Sequence, residues 1–276
     1  VVAAWRQAPG IALPLRDLLD LRPGATRGAR ARPMARRSGV MPSHQPGSGM
    51  DLREIRAYVP GDDPRRLDPS ATARTGTPHV RALHEDRDDI TLLIADFRAP
   101  MLWGTGATLR SVRGALHLAA SGWQAVGRQG AVGLIVADPA GVRALPPAPG
   151  DRHMAGLCRL LADRHTTALA ATPGPATPLT EALSLAASQA PSGARVILAT
   201  APDGWPSAQA ALSRLARGRQ LEVALILDPL ELAPPARPLP VTHDGTARLA
   251  RLQPADLARQ MDLLSALGAL PRRVDP

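Results

Sequence analysis

Ile90–Asp96 reads Ile-Thr-Leu-Leu-Ile-Ala-Asp, an apolar run from Ile90 to Ala95 closed by a carboxylate. A continuous run of this kind suits a central strand covered on both faces. The pattern downstream of Asp96 sets the fold class. Residues 105–127 carry Leu109, Val112, Leu116, Ala119, Trp123 and Val126 at spacings of three and four, the period of an amphipathic helix. Arg110, Arg113, His117, Ser121 and Gln124 line its other side. Ala131–Ala137 is a second strand, and Gly141–Leu145 a short edge hairpin. Residues 151–165 read as helix, and another helix opens at Pro178 with Thr177 as its cap. Arg195–Thr200 is a strand, 206–218 a helix opened by Pro206, and Leu221–Leu227 a strand. A hairpin is expected around His243-Asp244-Gly245 and a last helix over 254–269. Strands alternating with helices predict an α/β domain, a mainly parallel sheet with helices on both faces. Ligands of such sheets sit at the carboxyl ends of the strands, where Asp96, Asp138, Thr177 and Asp203-Gly204 fall.

Upstream, the chemistry changes. Val59-Pro60-Gly61-Asp62-Asp63-Pro64 is turn sequence, Thr75-Gly76-Thr77-Pro78 a second turn, and Val80–Leu83 a short strand. Among these turns stand Arg53, Arg56, Tyr58, Asp62, Asp63, Arg65, Arg66, Asp68 and Arg74. Such a block either cross-braces the segment through its own ion pairs or presents a charged face to a partner. Before it, Leu13–Leu21 forms a short helix, and the Pro/Gly/Arg-rich tract Arg22–Gly49 has no period and reads as an extended arm. Three regions are therefore expected: a basic arm with a short helix over 1–49, a small charged block over 50–88 packed on the main domain, and an α/β domain over 89–276.

The formal charge is +9, and every basic residue is Arg, with no Lys in the chain. Eight of these arginines lie within residues 1–50, against Asp17 and Asp20 alone. A basic arm can meet nucleic acid or an anionic membrane surface. With only 2% aromatic residues it lacks the stacking platform of single-strand binders, so this stands as a secondary alternative. Cys158 is the single cysteine and, among Leu157, Leu160 and Leu161, reads as a buried thiol with no intramolecular disulfide. No apolar run reaches the roughly 18 residues of a membrane span, and residues 1–30 lack a signal-peptide plan; a cytoplasmic location is expected. Enzyme signatures are missing: there is no Gly-x-Ser-x-Gly elbow and no His-Glu-x-x-His pair. Gly104–Ser111 lacks the Gly-Lys-Ser/Thr ending of a phosphate loop. His44, His79, His84, His117, His153, His165 and His243 are scattered, and each reads as a surface or hydrogen-bonded residue.

Residues 47–68, Gly-Ser-Gly-Met-Asp-Leu-Arg-Glu-Ile-Arg-Ala-Tyr-Val-Pro-Gly-Asp-Asp-Pro-Arg-Arg-Leu-Asp, with Thr-Ala-Arg-Thr-Gly at 72–76 and the strand after them, resemble the bacterial family catalogued as domain of unknown function 58. Its members show Arg-x-Tyr-x-Pro-Gly-Asp-Asp-x-Arg-x-Ile-Asp-Trp, then Ala-Arg, then a von Willebrand factor type A-like strand. The match is dense over 47–138 and looser toward the C-terminus; the family's Trp after Ile-Asp is Pro69 here. The resemblance implies a von Willebrand A-like (Rossmann-like) fold with a small charged N-terminal subdomain. It also implies a role beside a MoxR-type AAA+ ATPase, as its adaptor or as an assembly factor. Von Willebrand A domains hold Mg²⁺ through Asp-x-Ser-x-Ser, a Thr and a further Asp. The corresponding residues here are Asp96-Phe97-Arg98-Ala99-Pro100, and Thr177 and Asp203 match the second and third loops only loosely. Arg98 and Pro100 offer no side-chain oxygen for octahedral ligation. The expectation is a degenerate site with no metal or other cofactor, in which Arg98 neutralises Asp96 or Asp203. The protein is then a non-enzymatic protein-interaction module; the alternative is a Mg²⁺-dependent binding domain.

Overall fold

The computed structural model describes residues 8–23, 52–59, 62–83, 89–172, 177–243 and 246–276. These fall into two units by their contacts, one over 52–83 and the other joining 8–23 to 89–276. In chain order, α1 (Leu15–Leu19) comes first and belongs to the larger unit, where Leu13 and Leu18 are buried in the core. The stretch read from sequence as part of an arm thus contributes to the α/β packing. Trp123 donates from Nε1 to the Leu18 carbonyl (2.9 Å), and the Leu109 amide donates to the Gly10 carbonyl (2.9 Å). Gly10 has φ +79, and a Cβ there would lie 1.9 Å from the Ala107 carbonyl oxygen, so only glycine lets the strap approach.

In the smaller unit β1 (Leu52–Ala57) pairs antiparallel with β2 (His79–Leu83). Between them lie a 3₁₀ turn, Pro64–Arg66, and α2 (Pro69–Thr75). Neither β1 nor α2 is among the elements expected from sequence, although the start signal of α2 is in plain sight. Asp68 accepts the Ala71 amide at 2.8 Å and Pro69 takes the first helical position. Gly76, at φ +74, ends the helix.

The larger unit continues with β3 (Ile90–Asp96), α3 (Arg110–Gly127), β4 (Ala131–Asp138), β5 (Gly141–Pro149), α4 (Asp151–Ala170) and α5 (Leu179–Gln189). Then come β6 (Arg195–Thr200), α6 (Gln209–Ala216), β7 (Gln220–Ile226), α7 (Pro229–Leu232), β8 (Leu239–His243), β9 (Thr246–Ala250), α8 (Leu257–Ala266) and β10 (Leu270–Val274). Six strands form one sheet in the order β5-β4-β3-β6-β7-β10, parallel except for β5. Counted along the chain this is third-second-first-fourth-fifth-sixth, the doubly wound order whose switch point lies between β3 and β6. Leu93, Ala95, Val136, Ile197 and Ile226 pack under α1, α3 and α4; Leu92, Ile94, Val196, Leu198 and Val223 pack under α5, α6 and α8. The mainly parallel sheet with helices on both faces is therefore the architecture of the larger unit. Both edges of the sheet carry proline, Pro146, Pro147 and Pro149 on β5 and Pro271 on β10. β8 and β9 pair with each other outside it.

Several expectations are corrected. The helix expected over 105–127 begins at Arg110, because residues 104–109 form a loop held elsewhere. Arg110 and Ser121, assigned to its polar side, are buried. Pro178 rather than Thr177 occupies the cap position of α5, with no side-chain cap bond. A short 3₁₀ turn, Pro206–Ala208, precedes α6. β10 is not among the expected elements: Pro271 and two arginines give it no apolar rhythm, and its pairing with β7 decides it.

Cys158 is fully buried on α4, and burial pushes its thiol up to about 11. A thiol-reactive dye is therefore expected to leave the native protein unlabelled over an hour and to label it promptly in denaturant. Among the described residues no helix is long and apolar enough to cross a membrane.

Candidate functional site

At the switch point the ends of β3 and β6 are joined by their own side chains. The Thr200 hydroxyl donates to Oδ2 of Asp96 at 2.7 Å. Arg98 lays a fork on the same carboxylate, Nε to Oδ1 at 2.8 Å and Nη2 to Oδ2 at 2.7 Å, and its amide adds a bond to Oδ1 at 3.1 Å. A carboxylate has about four lone-pair positions, and these four donors match them. Nη2 of Arg98 also donates to the Gly204 carbonyl at 2.7 Å, which ties the fork to the loop after β6. Gly204 leaves room for this: a Cβ there would lie 2.5 Å from the Thr200 hydroxyl oxygen. Asp96 is buried, and the Arg98 side chain is 11% exposed. The donor set does not fit Mg²⁺, since the carboxylate is fully engaged and residues 98 and 100 bring no side-chain oxygen.

A second arginine lies behind the first. Arg110, at the start of α3, is wholly buried. It donates from Nη1 to the Pro100 carbonyl (2.9 Å), pairs through Nη2 with Glu231 of α7 (2.5 Å), and stacks 3.9 Å beneath the ring of Trp103. Trp103 keeps 36% of its surface exposed. Asp203, 62% exposed at its side chain, stands 3.7 Å from Nη1 of Arg110 and thus turns toward Arg110 rather than Arg98. Asp228, just beyond β7, accepts the Thr105 amide (2.8 Å) and hydroxyl and the Leu230 amide (3.0 Å). Burial alone raises the Asp228 pKa; the Thr105 and Leu230 donors and the Arg110 charge outweigh it, so the group stays below the ordinary carboxylate value. The glycine-rich loop 104–109 has thereby given its Thr105 donors to a carboxylate, not to a phosphate.

Asp138 repeats the pattern at the end of β4. Arg164 of α4 reaches its two oxygens at 2.6 and 2.5 Å, and the Ala140 amide donates at 2.8 Å. Thr177 is buried and donates its hydroxyl to the Asp138 carbonyl at 2.7 Å, so its bond is made to β4 and not to Asp96. The carboxyl ends of β3, β4 and β7 thus each carry a buried aspartate engaged by side chains of the chain itself.

Ser111 and His165 form the other pairing of note, Oγ to Nε2 at 2.8 Å between α3 and α4. Both are fully buried, and Nδ1 of His165 has no partner among the described residues. A nucleophile and base need access to substrate and an orienting third group; this pair has neither. Burial pushes the imidazole down to about 4, so it is neutral.

In the smaller unit the charged block divides by role. Arg56 forks Asp62 at 2.8 and 2.6 Å, and the Val59 amide adds 2.9 Å; Arg56 first, then Val59, hold the Asp62 carboxyl below its usual value. Asp63 accepts the Arg65 amide at 3.0 Å and Asp68 starts α2, so these aspartates serve turns. Arg65 and Arg74 are exposed, and Tyr58 is half-buried with its amide on the Pro78 carbonyl at 2.9 Å. Gly61 and the side chains of Arg53 and Arg66 lie outside the described residues.

Sequence reasoning passes over Trp103, Thr105, Arg110, Arg164, Thr200, Asp228 and Glu231. Asp228-Pro229-Leu230-Glu231 carries the one readable signal, a helix-start box with Pro at the first position; Thr200, Arg164 and Thr105 depend on chain separations of 26 or more residues in their bonds to Asp96, Asp138 and Asp228.

The uncharacterized proteins Rv1480 of Mycobacterium tuberculosis and Mb1516 of Mycobacterium bovis are each 30% identical to the chain over 214 residues, 77% of its length and 58% of theirs. The chain therefore spans somewhat over half the length of these relatives. Among solved structures, an aerotolerance-related membrane protein of Bacteroides fragilis gives a TM-score of 0.44 at 16% identity, covering 67% of this chain and 91% of that one. The conserved hypothetical protein BatB from Bacteroides thetaiotaomicron gives 0.42 at 18%, covering 67% and 90%. The SpRpn10 VWA domain gives 0.38 at 12%, covering 69% and 89%. Residues 54–260 match the family described as protein of unknown function DUF58. With three quarters of its residues inside that match, the chain belongs to this family.

Proposed function

We propose that the chain is a non-enzymatic protein-interaction module that docks a MoxR-type AAA+ ATPase, in the assembly or maturation of protein complexes, through the carboxyl edge of its sheet. The observation that supports this reading is the closed fork of Arg98 on Asp96. It fills the ligand position of a doubly wound sheet with the chain's own charges. Trp103 gives that surface an anchor. Its ring is fixed from below by the buried Arg110 and open above, the pre-organised aromatic that dominates protein contacts. The family resemblance supports the identity of the partner, and the geometry supports the docking edge.

The test is a binding measurement between the chain and the purified ATPase, with Trp103→Ala as the variant. Loss of about thirtyfold in affinity, equivalent to about 2 kcal/mol, by a variant that still unfolds cooperatively, is the expected result. Undiminished binding by the variant would move the docking site elsewhere. The Mg²⁺-dependent reading predicts a saturable heat on titrating the chain with magnesium chloride, lost in Asp96→Ala; the engaged carboxylate predicts none.

A further inference from the structure

The opposite edge of the sheet holds a feature that the docking reading does not use. Where β6, β7 and β10 begin, the chain leaves a cleft of about 420 Å³, within the 300–1,000 Å³ range typical of ligand sites. Arg195, Arg219 and Glu222 supply its charge, and Leu221 and Leu270 its apolar wall. Its cations are held in place before anything binds. Glu222, 5% exposed, accepts Nη2 of Arg195 at 2.8 Å and has Nη1 of Arg272 at 3.6 Å and Nε2 of His117 at 3.8 Å. His117 first, then Arg195 and Arg272, hold the Glu222 carboxyl down to about 2 against the effect of burial, so it is ionised. Arg219 donates to the Ala190 and Ala187 carbonyls at the end of α5, at 2.7 and 2.8 Å.

Two guanidiniums, of Arg195 and Arg219, line the cleft, and Arg272, 59% exposed at its side chain, stands beside Glu222 outside that lining. The single carboxylate is already shared, so the surplus is positive, and Arg195 and Arg219 are fixed by their own bonds. Fixed guanidiniums lose little rotamer entropy on capturing an anion, and their planar forks match a carboxylate. We propose that this cleft binds a carboxylate-bearing ligand, presented either as an acidic side chain of a partner polypeptide or as a free small dicarboxylic acid. The apolar wall of Leu221 and Leu270 takes the methylene part of such a ligand while Arg195 and Arg272 take the charge. The proposal is independent of the docking edge at Asp96.

Calorimetric titration of the full chain at low salt tests it with three probes: a glutamate-rich nonapeptide, its glutamine counterpart, and succinate. Leu270→Glu places a negative charge at the mouth and, at a position 67% exposed, leaves the core intact. Arg272→Gln removes a rim cation without touching the Arg195–Glu222 bond. The expected result is binding of a carboxylate probe, none of the glutamine peptide, and weakening by at least about tenfold in Leu270→Glu and about threefold in Arg272→Gln. Binding of the glutamate peptide without succinate identifies the polypeptide source; binding of succinate identifies the small acid. No binding of either carboxylate probe, equal binding of the two peptides, or affinity unchanged by Leu270→Glu would overturn the proposal.

Discussion

Arg98→Ala is expected to lose about 3–5 kcal/mol of folding stability, the usual consequence of stripping one partner from a buried ion pair. The variant leaves Asp96 buried with the Thr200 hydroxyl and one amide in place of four donors. It also releases the Gly204 carbonyl, so the loop after β6 loses its tie to β3. Urea denaturation of the two proteins, with equal slopes, measures the difference. Arg98→Lys should recover only part, because an ammonium cannot reproduce a two-pronged fork. Asp96→Ala with Arg98→Ala should lose less than the single Arg98 variant, since no charge is then stranded. A single variant within about 0.5 kcal/mol of the parent would show the fork to be incidental. The same logic makes Arg98→Ser with Pro100→Ser informative: it frees the carboxylate and supplies two hydroxyls, and added magnesium should then raise its melting temperature where it leaves the parent unmoved.

Stability should also fall as pH drops from 6.5 toward 4, by about 3 kcal/mol in total, through His165. Its folded pKa is depressed to about 4 from the ordinary 6.5 by burial. Below 6.5 the unfolded chain takes up a proton that the folded chain refuses, so unfolding gains; below 4 both states hold it and the loss levels off. The refusal has a visible cause. Nε2 is matched to Ser111, the imidazole packs T-shaped with Phe97 at 5.2 Å between centroids, and no carboxylate is paired with the ring among the described residues. Glu222, at about 2, begins to give up its contribution as pH falls to its ordinary 4.5, so the upper part of the window belongs to His165. Thermal midpoints of parent and His165→Phe across this window separate the cases; a parent slope retained in the variant would assign the effect to other groups.

The alternation of strands and helices is legible because buried parallel strands announce themselves as apolar runs, as Ile90–Asp96 and Arg195–Thr200 do within a residue. Asp96 and Arg98 are legible too, since they are two residues apart and their pairing is local. Arg110 is not. Periodicity places it on the polar side of α3, and nothing in a linear pattern shows that Glu231, Pro100 and Trp103 close over that side. Thr177 misleads for a related reason: its place before a helix suggests a cap, whereas a β4 carbonyl 39 residues away claims its hydroxyl. β10 escapes because edge strands are selected against looking like strands.

Edge protection also bears on how this protein meets others. With prolines on both outer strands of the six-stranded sheet, lateral growth of that sheet by a guest backbone is hindered at either flank. At these two strands recognition then proceeds through chemically distinct side chains and not through a shared main-chain ladder, which favours partners of defined sequence over any extended peptide. The same barrier discourages copies of the chain from stacking into fibrils when crowded.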